Sequence, residues 1–105
     1  MLIQINTDDN VNHSDVLADS IEAAVRKTLD RFADRVTRVE IHLSDENSDK
    51  KSGSANIRCM LEARPEGLQP VAVTDTASTV AQAVDGAVRK MKRSLDSLLG
   101  RRSPR

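Results

Sequence analysis

Between Leu2 and Asn6 the chain alternates, with Ile3 and Ile5 on one side and Gln4 on the other, the period-2 pattern of a half-buried strand. A polar stretch from Asp8 to His13 reads as loop. The period then changes. Leu17, Ile21, Ala24, Val25, Thr28, Phe32 and Val36 recur at steps of three and four and predict a helix from about Asp15 to Asp34. Ser14 stands at its N-cap, and Asp15 and Asp19 suit the positive end of the helix dipole. Alternation returns from about Val36 to Leu43, with Val39, Ile41 and Leu43 inward and Arg38, Glu40 and His42 outward. It recurs from about Ala55 to Arg64, where Ile57, Cys59, Leu61 and Ala63 oppose Asn56, Arg58, Met60, Glu62 and Arg64. The run Ser44 to Ser54 between these strands has no apolar residue and reads as a loop.

Arg64-Pro65-Glu66-Gly67 has the residue order of a type I turn, and Pro70 opens a last strand in which Val71 and Val73 face inward. Val80, Val84, Ala87, Val88, Met91, Leu95 and Leu98 then mark a second helix from about Ala77 to Leu99, closed by Gly100. A strand, helix, strand start implies parallel pairing through a right-handed crossover, and the short links that follow imply antiparallel neighbours. Each strand has one apolar face, so both helices belong on the same side of the sheet. The expected fold is α+β: a βαβββα two-layer sandwich, with a four-stranded mixed sheet and two helices packed on one face. One domain is expected over 1–100, with 101–105 a short basic disordered tail.

Composition changes the functional picture more than the fold. Phe32 is the one aromatic residue among 105, so there is no ring platform for stacking unpaired bases; a nucleic-acid partner would be met through its phosphates. Formal net charge is zero, yet acids outnumber bases up to Asp49 and bases outnumber acids beyond it, an asymmetry that points to an electrostatic partner at one end of the molecule. A single cysteine excludes an internal disulfide and a multi-cysteine zinc site, and suits a reducing compartment. Neither a signal segment nor a membrane span is present in the sequence, so a cytoplasmic location is expected, without a membrane partner.

Catalysis finds little to use. Cys59 is on the inward face of its strand and His42 on the outward face of another, so the thiol is expected to be buried and inert. His13, His42 and Cys59 have no ligand spacing for metal. Glu40, Glu62 and His42 are candidates for neighbours on the open sheet face, which ordinarily means a solvated charged surface. With no glycine-rich phosphate loop and no nucleophile elbow, neither an enzyme, nor a cofactor, nor a small-molecule substrate is expected.

The cations say more. At about 100° per residue, Lys27, Arg31 and Arg35 step along one flank of the first helix's apolar stripe, while Asp15, Asp19, Glu22, Asp30 and Asp34 take the outward side. On the second helix Arg89, Lys90, Lys92 and Arg93 spread over the solvent side of its C-terminal half, interrupted by Asp85 and Asp96. Basic residues near a helix C-terminus also suit the dipole and solubility, which is the plain alternative to a binding role. Gly86, with Ala83 and Ala87, is expected to let the second helix approach the first closely and so bring the two basic flanks together.

Several local motifs resemble the ribosome hibernation promoting factor and ribosome-associated inhibitor family over nearly the whole chain. They are Ser14-Asp15-Val16-Leu17 opening the first helix, Lys27 and Phe32 within it, and Ala83-Val84-Asp85-Gly86 with Lys90, Arg93 and Leu95 in the second. Where the family commonly has an Asp-Met-Tyr-like segment entering the second helix, this chain has Thr79, Val80 and Ala81. The resemblance implies a double-stranded-RNA-binding-like fold that docks on the small ribosomal subunit near the mRNA and tRNA decoding region and silences translation in stationary phase or stress. It implies contact with rRNA phosphates at the matching positions Lys27, Lys90 and Arg93; Arg31, Arg35, Arg89 and Lys92 join them by angle alone. A diverged short form is expected, without the C-terminal domain by which long members pair ribosomes. The alternative is a member that keeps the fold as a protein-binding regulatory module, using the open sheet face or the acidic loop at 44–54. Oligomeric state is left open.

Overall fold

The computed structural model describes residues 1–46 and 56–99. Gly100, the tail expected at 101–105 and most of the loop expected at 44–54 lie outside the described residues. In chain order the elements are β1 (Leu2–Thr7), α1 (Asp15–Leu29), a 3₁₀ turn (Asp30–Phe32), β2 (Val36–Asp45), β3 (Ile57–Pro65), β4 (Val71–Ala77) and α2 (Val80–Leu99). The sheet order is β1-β2-β3-β4. β1 runs parallel to β2, and β3 and β4 add antiparallel, giving the expected mixed sheet.

Both helices pack on one face. The core unites Ile21, Val25 and Leu29 of α1, the inward positions of β2 and β3, and Ala83, Val84, Ala87, Val88, Met91, Leu95 and Leu99 of α2. No polar or charged residue is buried among those described. Aliphatic side chains make up most of this layer, joined by Phe32, Cys59 and Met91, and each fully buried Leu or Ile contributes about 1.5–3 kcal/mol. Val11, inside the stretch expected to be polar loop, is also buried.

Four boundaries differ from the sequence reading, each for a local reason. α1 ends at Leu29, and the chain tightens into i to i+3 bonds, Ala33 N to Asp30 O at 3.0 Å and Arg35 N to Phe32 O at 2.8 Å. This tightening carries Phe32 into the core ahead of β2. β2 continues through Ser44 and Asp45 because the ladder to Arg58 and Ile57 needs only backbone groups, which the absence of apolar side chains does not weaken. The turn after β3 is shifted by one residue: Leu68 N donates to Pro65 O at 3.2 Å, and Gly67 takes φ +76° at the third position, the type II requirement. α2 begins later than expected, at Val80, because Thr79 caps it: Gln82 N donates to Thr79 Oγ1 at 3.1 Å. Ser14 caps α1 as expected, accepting from Leu17 N at 3.0 Å.

Candidate nucleic-acid interface

The two helices run side by side in the same direction, so their C-terminal halves share one end of the molecule, and there the seven candidate cations separate into distinct settings. Lys27 is exposed on α1 with no ion-pair partner among the described residues. One turn on, Arg31 Nη1 lies 3.0 Å from Asp96 Oδ1 of α2, with its guanidinium 5.2 Å from the centre of the Phe32 ring. Lys92 Nζ approaches the other oxygen of Asp96 at 3.7 Å. Asp96 therefore joins the basic flanks of both helices at one point, and its charge offsets part of theirs.

Arg35 does not continue that row. The 3₁₀ turn breaks the four-residue step, and Arg35 instead donates to the carbonyl of Leu99 at 3.5 Å, beside a cleft it lines with Glu66, Leu68 and Leu99. On α2, Arg89 is exposed and paired with Asp85 at 2.7 Å, while Arg93 is exposed and unpaired among the described residues.

Lys90 is placed differently from the sequence expectation. It points not to open solvent but down toward edge strand β4, where Nζ donates to Thr74 O at 2.8 Å and lies 3.0 Å from Asp75 Oδ1. Asp75 is on the helix-facing side of β4, opposite Cys59 of β3. Its carboxylate explains Gly86: a Cβ there would stand 2.6 Å from Asp75 Cγ. Gly86 thus makes room for β4, and the expectation that it serves close approach to α1 is corrected. The thiol of Cys59, fully buried, is pushed up to about 12, first by burial and then by the Asp75 charge, so it is a neutral thiol at physiological pH. Glycine inside an otherwise regular helix was the only sequence signal for this cluster, and it did not name the partner.

The basic residues of α2 lie in mid-helix, and its last turn contains none. The helix dipole, which acts over the last turn, therefore does not account for them.

On the far side of the sheet, Glu40 and Glu62 are cross-strand partners. Arg38 Nε lies 2.7 Å from Glu40, Arg38 also reaches Gln4, and Arg64 lies 3.5 Å from Glu62. His42 Nε2 is 3.3 Å from Glu40 Oε1. The Glu40 carboxyl is held below its ordinary 4.5, chiefly by the hydrogen bond with His42; burial opposes this next most strongly, and Arg38 and then Arg64 lower it further. This face is a charge lattice with its back to the core. Among the described residues no cluster of His, Cys, Asp and Glu could hold a metal ion, and no helix is long and apolar enough to cross a membrane.

The family of the Sigma 54 modulation protein / S30EA ribosomal protein matches residues 3–103, almost the full length. The chain belongs to this family. S30EA proteins are ribosome-associated factors rather than enzymes. Among solved structures the fold is similar to the Thermus thermophilus Protein Y N-terminal domain, with a TM-score of 0.75, 19% identity, and 93% of this chain and 99% of that one covered. It is similar also to a ribosomal subunit interface protein from Coxiella burnetii, with a TM-score of 0.72, 16% identity, and coverage of 93% and 97%. At these identities the likeness concerns the S30EA fold alone. No curated protein matches the chain in sequence at a significant level.

Proposed function

We propose that this S30EA chain is a cytoplasmic translation-silencing factor that binds the small ribosomal subunit near the mRNA and tRNA decoding region through rRNA phosphates. The observation that carries the reading is the cationic end of the helix pair. Lys27, Arg31, Lys92, Arg89 and Arg93 gather there on a chain of zero net charge; Lys27 and Arg31 occupy terminal turns that suit the helix dipole, whereas Arg89, Lys92 and Arg93 occupy mid-helix positions of α2 that it does not explain. Such contacts position a protein on RNA without reading sequence. Lys27 and Arg93, unpaired among the described residues, are the first contacts; Arg31, Lys92 and Arg89 join as phosphates displace their exposed carboxylate partners. Lys90 acts mainly by holding α2 on β4, and Arg35 by holding the end of α2 on the segment that leads into β2.

One observation favours a second reading, a protein-binding module of the same fold: Arg31, Arg89, Lys90 and Lys92 all have carboxylates within reach, which lowers the field a polyanion would meet. Co-sedimentation with purified small and large subunits separates the two. The ribosome reading expects the protein in the small-subunit pellet at low salt and its release at high salt. No pelleting at either salt would leave the protein-binding module.

A further inference from the structure

The sheet face opposite the helices contains a cleft of about 280 Å³ at the end where β1 leaves the sheet, lined by Asn6, Thr7, Asp8, His42, Leu43, Ser44 and Arg58. Four of the described basic side chains are half-buried: Arg38, Arg58, Lys90 and Lys92. Three of them have a carboxylate, namely Glu40, Asp75 and Asp96. Arg58 is the exception, for its guanidinium has neither an ion-pair nor a hydrogen-bond partner among the described residues. Its nitrogens are not among the buried unpartnered atoms, so the charge is open to an incoming anion.

What surrounds Arg58 is a set of donors. Its cross-strand neighbours are the hydroxyl-bearing Ser44 and Thr76, and His42 with its partner Asn6 completes the same face. Gln4 uses the side-chain oxygen of Asn6 at 3.5 Å, so the Asn6 amide group is left as a donor into the cleft. His42 Nε2 is turned to Glu40, which accepts its proton, so the neutral ring offers the cleft an acceptor at Nδ1 and adds no donor to the set. The one carboxylate of the lining, Asp8, accepts from the backbone of Asn10 at 2.9 Å and forms no ion pair with Arg58. A forked guanidinium flanked by hydroxyl and amide donors matches the tetrahedral oxygens of a phosphate, which Arg binds through two parallel hydrogen bonds.

We propose that the Arg58 cleft binds a phosphate group of an RNA backbone on the sheet face, so that the molecule contacts RNA on both of its faces. The assignment of RNA as the source rests on the ribosome reading above; the phosphate chemistry does not. Two RNA segments held on opposite faces would fix the orientation of a domain that phosphate contacts on the helices alone leave free to slide.

Nitrogen-15 NMR of the full chain tests this, titrating separately with inorganic phosphate, a short single-stranded uridine oligonucleotide and a polyglutamate peptide. The expected result is saturable shifts of the Arg58 Nε–H resonance and of the Ser44 and His42 amides with phosphate, and the same shifts at lower concentration with the oligonucleotide. Arg58→Gln should abolish these shifts and weaken oligonucleotide binding roughly fivefold or more, while Arg58→Lys, which keeps the charge and loses the fork, should retain part of the affinity. Shifts confined to the helices, or Arg58→Gln binding like wild type, would overturn the proposal. Polyglutamate acting at lower concentration than the oligonucleotide would overturn it in favour of a protein carboxylate. Shifts with inorganic phosphate but none with the oligonucleotide would overturn RNA as the source. No ribosome enters these titrations, so failure to co-sediment would sink the ribosome reading without touching the cleft, and an unperturbed Arg58 would do the reverse.

Discussion

Asp75, Gly86 and Lys90 form the contact in which single residues decide most. Alanine at position 86 would gain about 1 kcal/mol of helix propensity, but its Cβ meets the Asp75 carboxylate, and displacing that group also breaks the Lys90 ion pair. Gly86→Ala should therefore destabilise by about 1–3 kcal/mol in urea melts. In Asp75→Ala/Gly86→Ala the combined loss should be smaller than the sum of the single losses, since the clash is absent. Additive losses would place the Gly86 constraint elsewhere. Glu40 gives a pH signature on the other face. Its carboxyl is lowered by His42 and Arg38, so its contribution to stability is complete above about pH 4.5 and disappears as pH falls through the lowered value. Thermal melts of wild type and Glu40→Gln should differ at neutral pH and converge in acid; a difference that grew in acid would contradict the assigned direction.

At the scale of elements, periodicity made the sheet faces, both helices and the parallel opening pair legible, because inward positions such as Val39, Ile41, Cys59 and Leu61 alternate without interruption. Ends were less legible. The helical stripe continues in sequence to Phe32 and Val36, so nothing marks the change to a 3₁₀ turn, and the Lys27, Arg31, Arg35 row was extended one residue too far. The start of α2 was expected at Ala77, and no cap was read there; Thr79, three residues before Gln82, is the cap that sets the start at Val80. Angular position placed Lys90 on the solvent side with Arg89, Lys92 and Arg93, and only the position of β4 beneath it shows that it turns the other way. Asp96 is the element-scale device of the candidate site, since it couples α1 to α2 while offsetting two cations. Asp96→Asn should tighten binding to small subunits at low salt by roughly two- to fivefold, corresponding to about 0.4–1 kcal/mol for exposed pairs released to phosphate. Weaker binding in that variant would mean that Asp96 acts by holding the helices in place rather than by masking charge.

The molecule as a whole is neutral, and its two surfaces differ in what they do with charge. The helix side concentrates cations at one end, partly masked by Asp85 and Asp96; the sheet side pairs its arginines with Glu40 and Glu62 and leaves Arg58 over a cleft. That division was only half legible in the sequence, because the asymmetry between the two halves of the chain does not say which strands and helices share a face. The central claim is that the cationic helix end carries ribosome binding. It is tested most directly by measuring affinity for purified small subunits across a salt series, for wild type and for Arg93→Gln. The wild-type logarithm of affinity should fall linearly with the logarithm of salt, and Arg93→Gln should lower that slope by about 0.7–0.9, the loss of one phosphate contact. Binding that is absent at low salt, or whose slope is unchanged in Arg93→Gln, would contradict the account.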